Sequence, residues 1–279
     1  MKEFCKNILK RIGIYHPLQS WYRDTLFSIH RNKNRRKYQR YAGSGFTCNV
    51  CQAKYSRFVP DQPSDVNREA LEKNNVIAGY GEGVYCPNCM STARERLVIA
   101  ILADQHSIKG KKILHLSPEK NVYQFISGKA NVTTADLLPG FYKTIDGMVQ
   151  KQDATKFSYA SENFDYVIGN HILEHIPNDR QAMKEIFRVL VPGGQAILQV
   201  PFSKNNMQTI EEPGIHDPAR QSALFGQKDH VRIYALADYV RRLKKVGFDV
   251  TVIPYEDLQV YYSYAIQNDE CFFNIRKPD

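Results

Sequence analysis

Four of the six cysteines form two pairs with the spacing of metal-binding turns. A two-residue spacer lets a tight turn direct both thiolates of a pair at one ion, and two such turns complete a closed tetrahedral site. We therefore predict a structural zinc site at Cys48, Cys51, Cys86 and Cys89, whose metal supplies folding free energy to the surrounding module. The alternatives are disulfides, which a reducing cytosol disfavours, and unrelated buried thiols. Cys5 and Cys271 are unpaired, and we expect both to behave as small apolar residues.

Three histidines are candidates for a general base, because imidazole titrates near neutral pH. His171 and His175 are four residues apart, which puts them on one helical face if a single helix includes both. This spacing also occurs in metal sites, but no third ligand is evident, so we favour packing or catalysis. His230 follows a long polar insertion, Ser203–Lys228, which is either part of a substrate pocket or an ordered surface loop. We predict His230 as the base, with His171 as the second candidate.

Strand and helix patterns alternate over residues 111–279. The predicted strands are 112–116, 131–135, 164–168, 195–200, 248–253 and 271–275, and the predicted helices are 121–127, 180–190 and 236–246. This alternation predicts an α/β fold with a mainly parallel, Rossmann-like sheet and helices on both faces. Ligands of such sheets bind beyond the carboxyl ends of the strands. Asp136 ends the second strand, 19 residues after Ser117, at the spacing of an acid that accepts hydrogen bonds from a ribose.

The chain divides into four predicted zones. Residues 1–41 are a basic arm, and residues 42–92 are the four-cysteine module. Residues 93–110 are a connecting helix that Gly110 ends, and residues 111–279 are the α/β domain.

The net charge of +9 belongs to the arm. Residues 1–41 hold 11 of the 38 Lys and Arg residues and only two of the 29 acids, so the remaining chain is formally neutral. Apolar residues recur at helical spacing over residues 3–14 and 18–29, and a basic run covers residues 31–40. A basic amphipathic helix containing Trp is typical of peripheral membrane contact. RNA binding and packing on the protein's own surface are the other two interpretations.

No apolar run reaches the roughly 18–20 residues that a membrane span needs, and the N-terminus lacks the features of a signal peptide. We expect a cytoplasmic protein, which is peripheral on the inner membrane face if the arm binds lipid.

Two runs, FDYVIGNHILEHIP at residues 164–177 and FRVLVPGG at residues 187–194, resemble the fourth strand to fifth strand of class I S-adenosylmethionine-dependent methyltransferases. Within that superfamily, the cysteine pairs, Arg94 and Arg96, and LHLSPE at residues 114–119 are similar to a bacterial group with an N-terminal zinc module. The resemblance covers residues 111–279. It implies a methyltransferase sheet preceded by a zinc-ribbon-like module.

The same resemblance implies which residues contact the cofactor S-adenosylmethionine. They are His115, Ser117, Glu119, Asp136, Asp153, Ala154, Asn170 and His171. Asp153 and Ala154 correspond to the contact with the adenine amino group, and Asn170 and His171 lie beside the reactive end. The family's glycine-rich turn is missing after the first strand. Either Ser117 and the Pro118 turn replace it, or cofactor binding is impaired.

We expect methyl transfer to a small molecule or a glycan intermediate. The alternatives are an RNA methyltransferase, whose zinc ribbon binds RNA, and a non-catalytic binding protein. The formal neutrality of residues 42–279 disfavours RNA, and the glycine-poor first turn favours the non-catalytic alternative. No residue fixes the acceptor atom or the oligomeric state.

Overall fold

The computed structural model describes residues 15–104 and 107–279. The helix predicted over residues 3–14, with Cys5, lies outside these residues. Among the helices that are described, none combines the length and the apolarity that crossing a lipid bilayer needs.

The described helices and strands follow the chain in this order. The helices are α1 Tyr15–Tyr38, α2 Asp65–Lys73, α3 Ala93–Asp104, α4 Lys120–Ser127, α5 Asp179–Val189, α6 Pro218–Phe225 and α7 Leu236–Val246. The strands are β1 Ala42–Thr47, β2 Lys54–Tyr55, β3 Val59–Asp61, β4 Val76–Ile77, β5 Gly81–Tyr85, β6 Lys112–Leu116, β7 Asn131–Asp136, β8 Gln150–Lys151, β9 Phe164–Ile168, β10 Leu190–Ile197, β11 Phe202–Ser203, β12 Ile210–Glu211, β13 Arg232–Ala235, β14 Asp249–Ile253 and β15 Phe272–Arg276. Short 3-10 helices cover Gln39–Tyr41, Pro139–Phe141, Leu173–His175 and Tyr255–Tyr264.

A seven-stranded sheet forms the centre of the α/β domain, in the order β14-β15-β10-β9-β6-β7-β8. Strands β6 to β10 run parallel, and β15 runs antiparallel between β10 and β14. The order reverses between β6 and β9, which creates a switch point whose carboxyl edge is the usual ligand site of such sheets. The predicted Rossmann-like α/β fold is therefore confirmed.

Neighbouring residues of the central strands pack on opposite faces of this sheet. Ile113 and Tyr166 belong to the core under α3 and α4, whereas Leu114 and Val167 belong to the core under α5 and α7. Because successive side chains of a strand alternate in direction, an unbroken apolar run fills both layers at once.

Most predicted bounds agree with the structure to within one residue, and two differ by more. Strands β6 and β9 and helix α7 have the predicted limits, and Gly247 ends α7 with a left-handed φ of 119°. Helix α3 ends at Asp104, so Gly110 does not end it as predicted. Strand β10 already begins at Leu190, because the Pro-Gly-Gly turn predicted to precede the strand is an irregularity within it.

The cysteine module shares structure with the α/β domain. Its small sheets pair β1 with β2 and β3 with β5, but β4 joins β11, β13 and β12 in a four-stranded sheet. Helix α2 also packs against α6 of the insertion Ser203–Lys228. The boundary at residue 92 stays a prediction. The strand pairing and the helix contact just described join residues before this position to residues after it.

Candidate functional site

A cleft of about 420 Å³ lies at the carboxyl edge of the seven-stranded sheet, beside the switch point. The residues after β6 and β9 form one wall, and residues of the cysteine module with the start of α3 form the other. This volume is within the range of small-molecule sites, roughly 300–1,000 Å³. The predicted site residues that line it are Ser117, Glu119, Asn170, His171 and His230. Those that do not are His115, Asp136, Asp153 and Ala154.

Ser117 forms the turn that follows β6. Its φ is +45°, in the left-handed region that the glycines of a nucleotide-binding turn ordinarily occupy. The backbone N–H of Ser117 donates to Ala135 at 2.9 Å, and its hydroxyl donates to Oδ2 of Asp136 at 2.6 Å. The serine thus adopts the glycine-like backbone conformation and ties the ends of β6 and β7 together.

Asp136 ends β7 with a half-buried carboxylate. Besides the bond from Ser117, its Oδ1 accepts from the backbone N–H of Leu138 at 2.6 Å. A carboxylate has about four acceptor positions, so two remain for other donors. Asp136 is therefore fixed in orientation and still able to accept hydrogen bonds from ribose hydroxyls.

Asp153 follows the next strand, β8, and its Oδ1 accepts from the N–H and the hydroxyl of Thr155 at 2.9 Å and 2.7 Å. These bonds, the hydroxyl bond first, lower the pKa of the Asp153 carboxyl. Ala154 beside it is half-buried and packs against the core under α5 and α7. The two residues lie along the same sheet edge as Asp136 but outside the cleft lining.

Glu119 is the centre of a polar network inside the cleft. Its carboxylate pairs with Arg94 at 3.0 Å and accepts from the Asn170 side-chain amide at 2.7 Å. Its backbone N–H donates to Nε2 of His115 at 3.3 Å. Burial lowers the pKa of His115 to about 4, so this ring is neutral at pH 7. Glu119 and His115 therefore position the turn and Asn170.

The amide oxygen of Asn170 is an open acceptor of the site. It is buried, and no residue of the described chain donates a hydrogen bond to it. Buried polar atoms rarely lack a partner, and Asn170 lines the cleft at the end of β9. This orphaned oxygen, the spare capacity of Asp136 and the left-handed turn at Ser117 fit an adenosyl cofactor with polar ribose and amino-acid groups.

The three candidate histidines meet around Glu174, although not as predicted. His171 has a left-handed φ of +51°, and the 3-10 helix that follows includes only His175, so the two do not share a helical face. Nδ1 of His171 lies 3.4 Å from Oε1 of Glu174, and Nε2 of His230 lies 3.9 Å from the same oxygen. The rings of His175 and His230 meet edge to face at 4.7 Å.

Burial controls the protonation of this group. It lowers the pKa of His230 to about 3 and that of His171 well below 6.5, and it raises the pKa of Glu174. Both histidines are thus neutral at pH 7, with a free lone pair. A base with so low a pKa accepts a proton weakly. His230 therefore stays a candidate for the base because of its position in the cleft and not because of its basicity.

The four paired cysteines converge at one point, with all four sulfurs within 4.8 Å of one another. The Sγ atoms of Cys48 and Cys89 are 3.6 Å apart, and those of Cys51 and Cys86 are 3.7 Å apart. A zinc–sulfur bond of about 2.3 Å gives a regular tetrahedron an edge of about 3.8 Å. These distances fit a tetrahedral thiolate site and are too long for disulfides.

The two turns that carry the cysteines have matching backbones. Gln52 and Met90 each follow the second cysteine of a pair, with φ values of +61° and +62°. Each donates its backbone N–H to the first cysteine of its pair, at 2.8 Å and 2.9 Å. The spacing read from the sequence thus folds into two equivalent knuckles.

Sequence reasoning missed four charged groups that line the cleft: Arg94, Glu174, Asp61 and Glu270. Arg94 and Glu174 belong to the motifs quoted above, but no role was assigned to them from the sequence. Glu270 had no local signal, since it precedes the last strand. Of the insertion Ser203–Lys228, only Gln227 lines the cleft.

Comparisons with known proteins agree with this architecture. Residues 118–198, from the turn after β6 through β10, match the family model of the methyltransferase domain. A search of curated proteins found no match.

Solved structures align with about two thirds of the chain. A candidate methyltransferase of Bacillus halodurans is 17% identical, covering 65% of this chain and 99% of its own, with a TM-score of 0.42. An S-adenosylmethionine-dependent methyltransferase of Methanosarcina mazei is 18% identical, covering 64% and 97%, with a TM-score of 0.44. Phosphoethanolamine N-methyltransferase 2 of Haemonchus contortus is 16% identical, covering 66% and 52%, with a TM-score of 0.44.

The family match and the strand order of the sheet agree with each other, because the matched segment lies within the Rossmann-like α/β sheet.

Proposed function

We propose that this protein transfers a methyl group from S-adenosylmethionine to a small molecule or a glycan intermediate. The observation that supports it best is the set of polar groups at the strand ends around the switch point. Ser117, Asp136 and Asn170 end neighbouring parallel strands, and two of them keep unused acceptor capacity. Such capacity at this edge is what an adenosyl ligand requires.

The cofactor would supply a methyl group already activated on a positively charged sulfur. Asp136 would accept hydrogen bonds from the ribose hydroxyls, and Asp153 would accept one from the adenine amino group. Asn170 would accept a hydrogen bond at the inner end of the cleft. His171 and His230 would hold the acceptor in line and take a proton from it where the acceptor must lose one.

Calorimetric titration with S-adenosylmethionine and its demethylated product tests this proposal. Asp136→Ala should weaken binding roughly 10- to 100-fold, because hydrogen bonds to a charged group contribute about 1.5–3 kcal/mol. Asp249→Ala is the matched control, since Asp249 is exposed at the amino edge of the sheet, opposite the cleft. Absence of binding in the wild type, or equal affinity in both variants, would refute the proposal.

A small acceptor is supported by the shape of the cleft, which the cysteine module walls on one side. An RNA strand would need an open, basic groove, whereas Glu174 and Glu270 are among the charged residues of this one. A screen with a labelled methyl group should label the metabolite or glycan fraction of a lysate. Label in RNA instead would favour the RNA alternative.

We also propose that the four cysteines hold one structural zinc ion. Their sulfur–sulfur distances support it, and Ser91 lies 3.2 Å from two of the sulfurs through its hydroxyl. Four thiolates leave the ion no open position, so the site would stabilise the module and take no part in the reaction.

We propose peripheral membrane contact for the basic arm. On α1, Tyr22, Leu26 and Ile29 form an exposed apolar stripe at helical spacing, and basic residues follow it toward the end of the helix. The full chain should float with anionic liposomes at low salt. Leu26→Asp should reduce flotation, and Met207→Asp, which changes an exposed apolar residue elsewhere, should not. Equal flotation of both variants would oppose the proposal.

A further inference from the structure

Three side chains of different elements converge on the inner wall of the cleft. Glu174 and His175 belong to the 3-10 helix after β9, and His230 precedes β13. One ligand atom from each lies within 4.8 Å of the other two. The sequence hides this set, because His230 is 55 residues beyond His175.

Glu174 is the unexplained member of the set. It is 1% exposed, and no other described residue donates a hydrogen bond of ordinary geometry to either carboxylate oxygen. The two nearest arginines are engaged elsewhere, Arg94 with Glu119 and Arg232 with Glu211 and backbone carbonyls. A carboxylate that is buried without a partner is costly, so a purely structural role does not account for it.

The imidazole of His175 is held in the way that metal-binding histidines often are. Nδ1 of His175 lies 3.1 Å from the backbone carbonyl of Asp229. A carbonyl can only accept, so Nδ1 carries the proton and Nε2 keeps its lone pair. Such an outer bond fixes the tautomer of a ligating histidine. In His230, Nε2 is the ring nitrogen that faces Glu174, at 3.9 Å from Oε1.

We propose that Glu174, His175 and His230 form a binding site for one divalent transition-metal ion. Two imidazole nitrogens and one carboxylate oxygen suit zinc, manganese or iron and leave coordination positions open. These positions face the cleft, because all three residues line it. When the ion is bound, Nε2 of His230 is a ligand and cannot take a proton, so His171, 3.4 Å from Glu174, is then the base. The use of the ion to hold an acceptor oxygen or nitrogen rests on the proposed function, whereas binding of the ion does not.

Manganese is the probe, because this hard ion competes poorly for the four thiolates. The full chain, carrying no more than one zinc ion per chain so that only the four thiolates are occupied, is titrated with Mn²⁺ while the electron paramagnetic resonance signal of the free ion is followed. We expect saturation at one ion per chain. Glu174→Gln and His230→Gln should each weaken binding at least tenfold. His216→Gln, at an exposed histidine outside the cleft, should not.

Far-ultraviolet circular dichroism and zinc content establish that each variant is folded. Absence of saturable Mn²⁺ binding in the wild type, or unchanged affinity in folded Glu174→Gln, would overturn the site. The titration contains no cofactor and no acceptor. A failure to bind S-adenosylmethionine would therefore refute the proposed function and leave this result standing, and the reverse holds as well.

Discussion

The turn after β6 concentrates two opposing effects in one residue. The left-handed φ of Ser117 destabilises the fold by roughly 1 kcal/mol, as it does for any residue with a Cβ. The 2.6 Å hydrogen bond from its hydroxyl to the Asp136 carboxylate stabilises the fold by a comparable amount. The side chain thus does for the strand ends what a glycine-rich loop does through its backbone alone.

Two substitutions of Ser117 separate these effects. Ser117→Ala keeps the unfavourable φ and loses the hydrogen bond, so the free energy of unfolding should fall by about 1–2 kcal/mol. Ser117→Gly loses the bond but also relieves the backbone, so it should lie closer to the wild type. Urea unfolding measures both. An alanine variant as stable as the wild type would show that the bond to Asp136 contributes nothing.

Glu270 makes stability depend on pH. Burial raises the pKa of this cleft-lining carboxyl from its ordinary 4.5 to about 7. Between these values the folded chain binds more protons than the unfolded chain, so stability falls as pH rises through that window, by about 3 kcal/mol in all. Glu270→Gln cannot ionise and should match the wild type near pH 4.5 and exceed it at pH 8.

The difference in unfolding free energy between Glu270→Gln and the wild type, measured in urea at several pH values, checks this. Comparing the two proteins at each pH removes the titration of other groups. Glu256→Gln is the control, because Glu256 is exposed. A difference that does not grow from pH 4.5 to pH 8 would contradict the assignment.

At the scale of elements, Arg96 of α3 connects the cysteine module to the α/β domain. Its guanidinium is fully buried and donates hydrogen bonds to backbone carbonyls of both the cysteine module and the α/β domain. These are the carbonyls of Gly83, Val84, Ser91, Tyr264 and Ala265. The ring of Phe58 lies 4.7 Å from the guanidinium carbon, which adds a cation–π contact from the module.

Arg96→Met should therefore destabilise the protein by about 3 kcal/mol or more, because it leaves several buried carbonyls without donors. Arg180→Met changes an exposed arginine of α5 and should shift stability by less than about 0.5 kcal/mol. Urea unfolding followed by tyrosine fluorescence reports on both regions. Equal midpoints for the two variants would mean that Arg96 does not hold the module.

The parts of this fold that could be predicted from the sequence are those encoded by local patterns. Strand β9 and helix α7 carry unbroken periodicity and clear end signals such as Gly247, so their limits follow from the sequence. The pairing of β4 with β11 and the approach of His230 to Glu174 join residues far apart in the chain. No local spacing encodes such contacts. The cysteine site was predictable because each knuckle is itself a local motif.

At the scale of the whole molecule, the cysteine module forms one wall of the cleft. Tyr80 and Tyr85 come from the module, whereas Asn170 and His230 come from the α/β domain. The two hydrophobic cores that clamp the seven-stranded sheet contain neither Cys48 nor Cys86, which belong to a separate small core. Loss of the module's order should thus impair the cleft more than the sheet.

Removal of the proposed zinc tests this division. Cys48→Ser should lower zinc content from one ion per chain to well below it, and Cys271→Ser, at a buried cysteine outside the cluster, should not. We expect Cys48→Ser to keep most of its far-ultraviolet circular dichroism, because the sheet has its own cores. Its affinity for S-adenosylmethionine should fall at least tenfold, because one wall of the cleft loses its fixed shape. Full affinity in a zinc-free variant would show instead that the α/β domain forms the binding site alone.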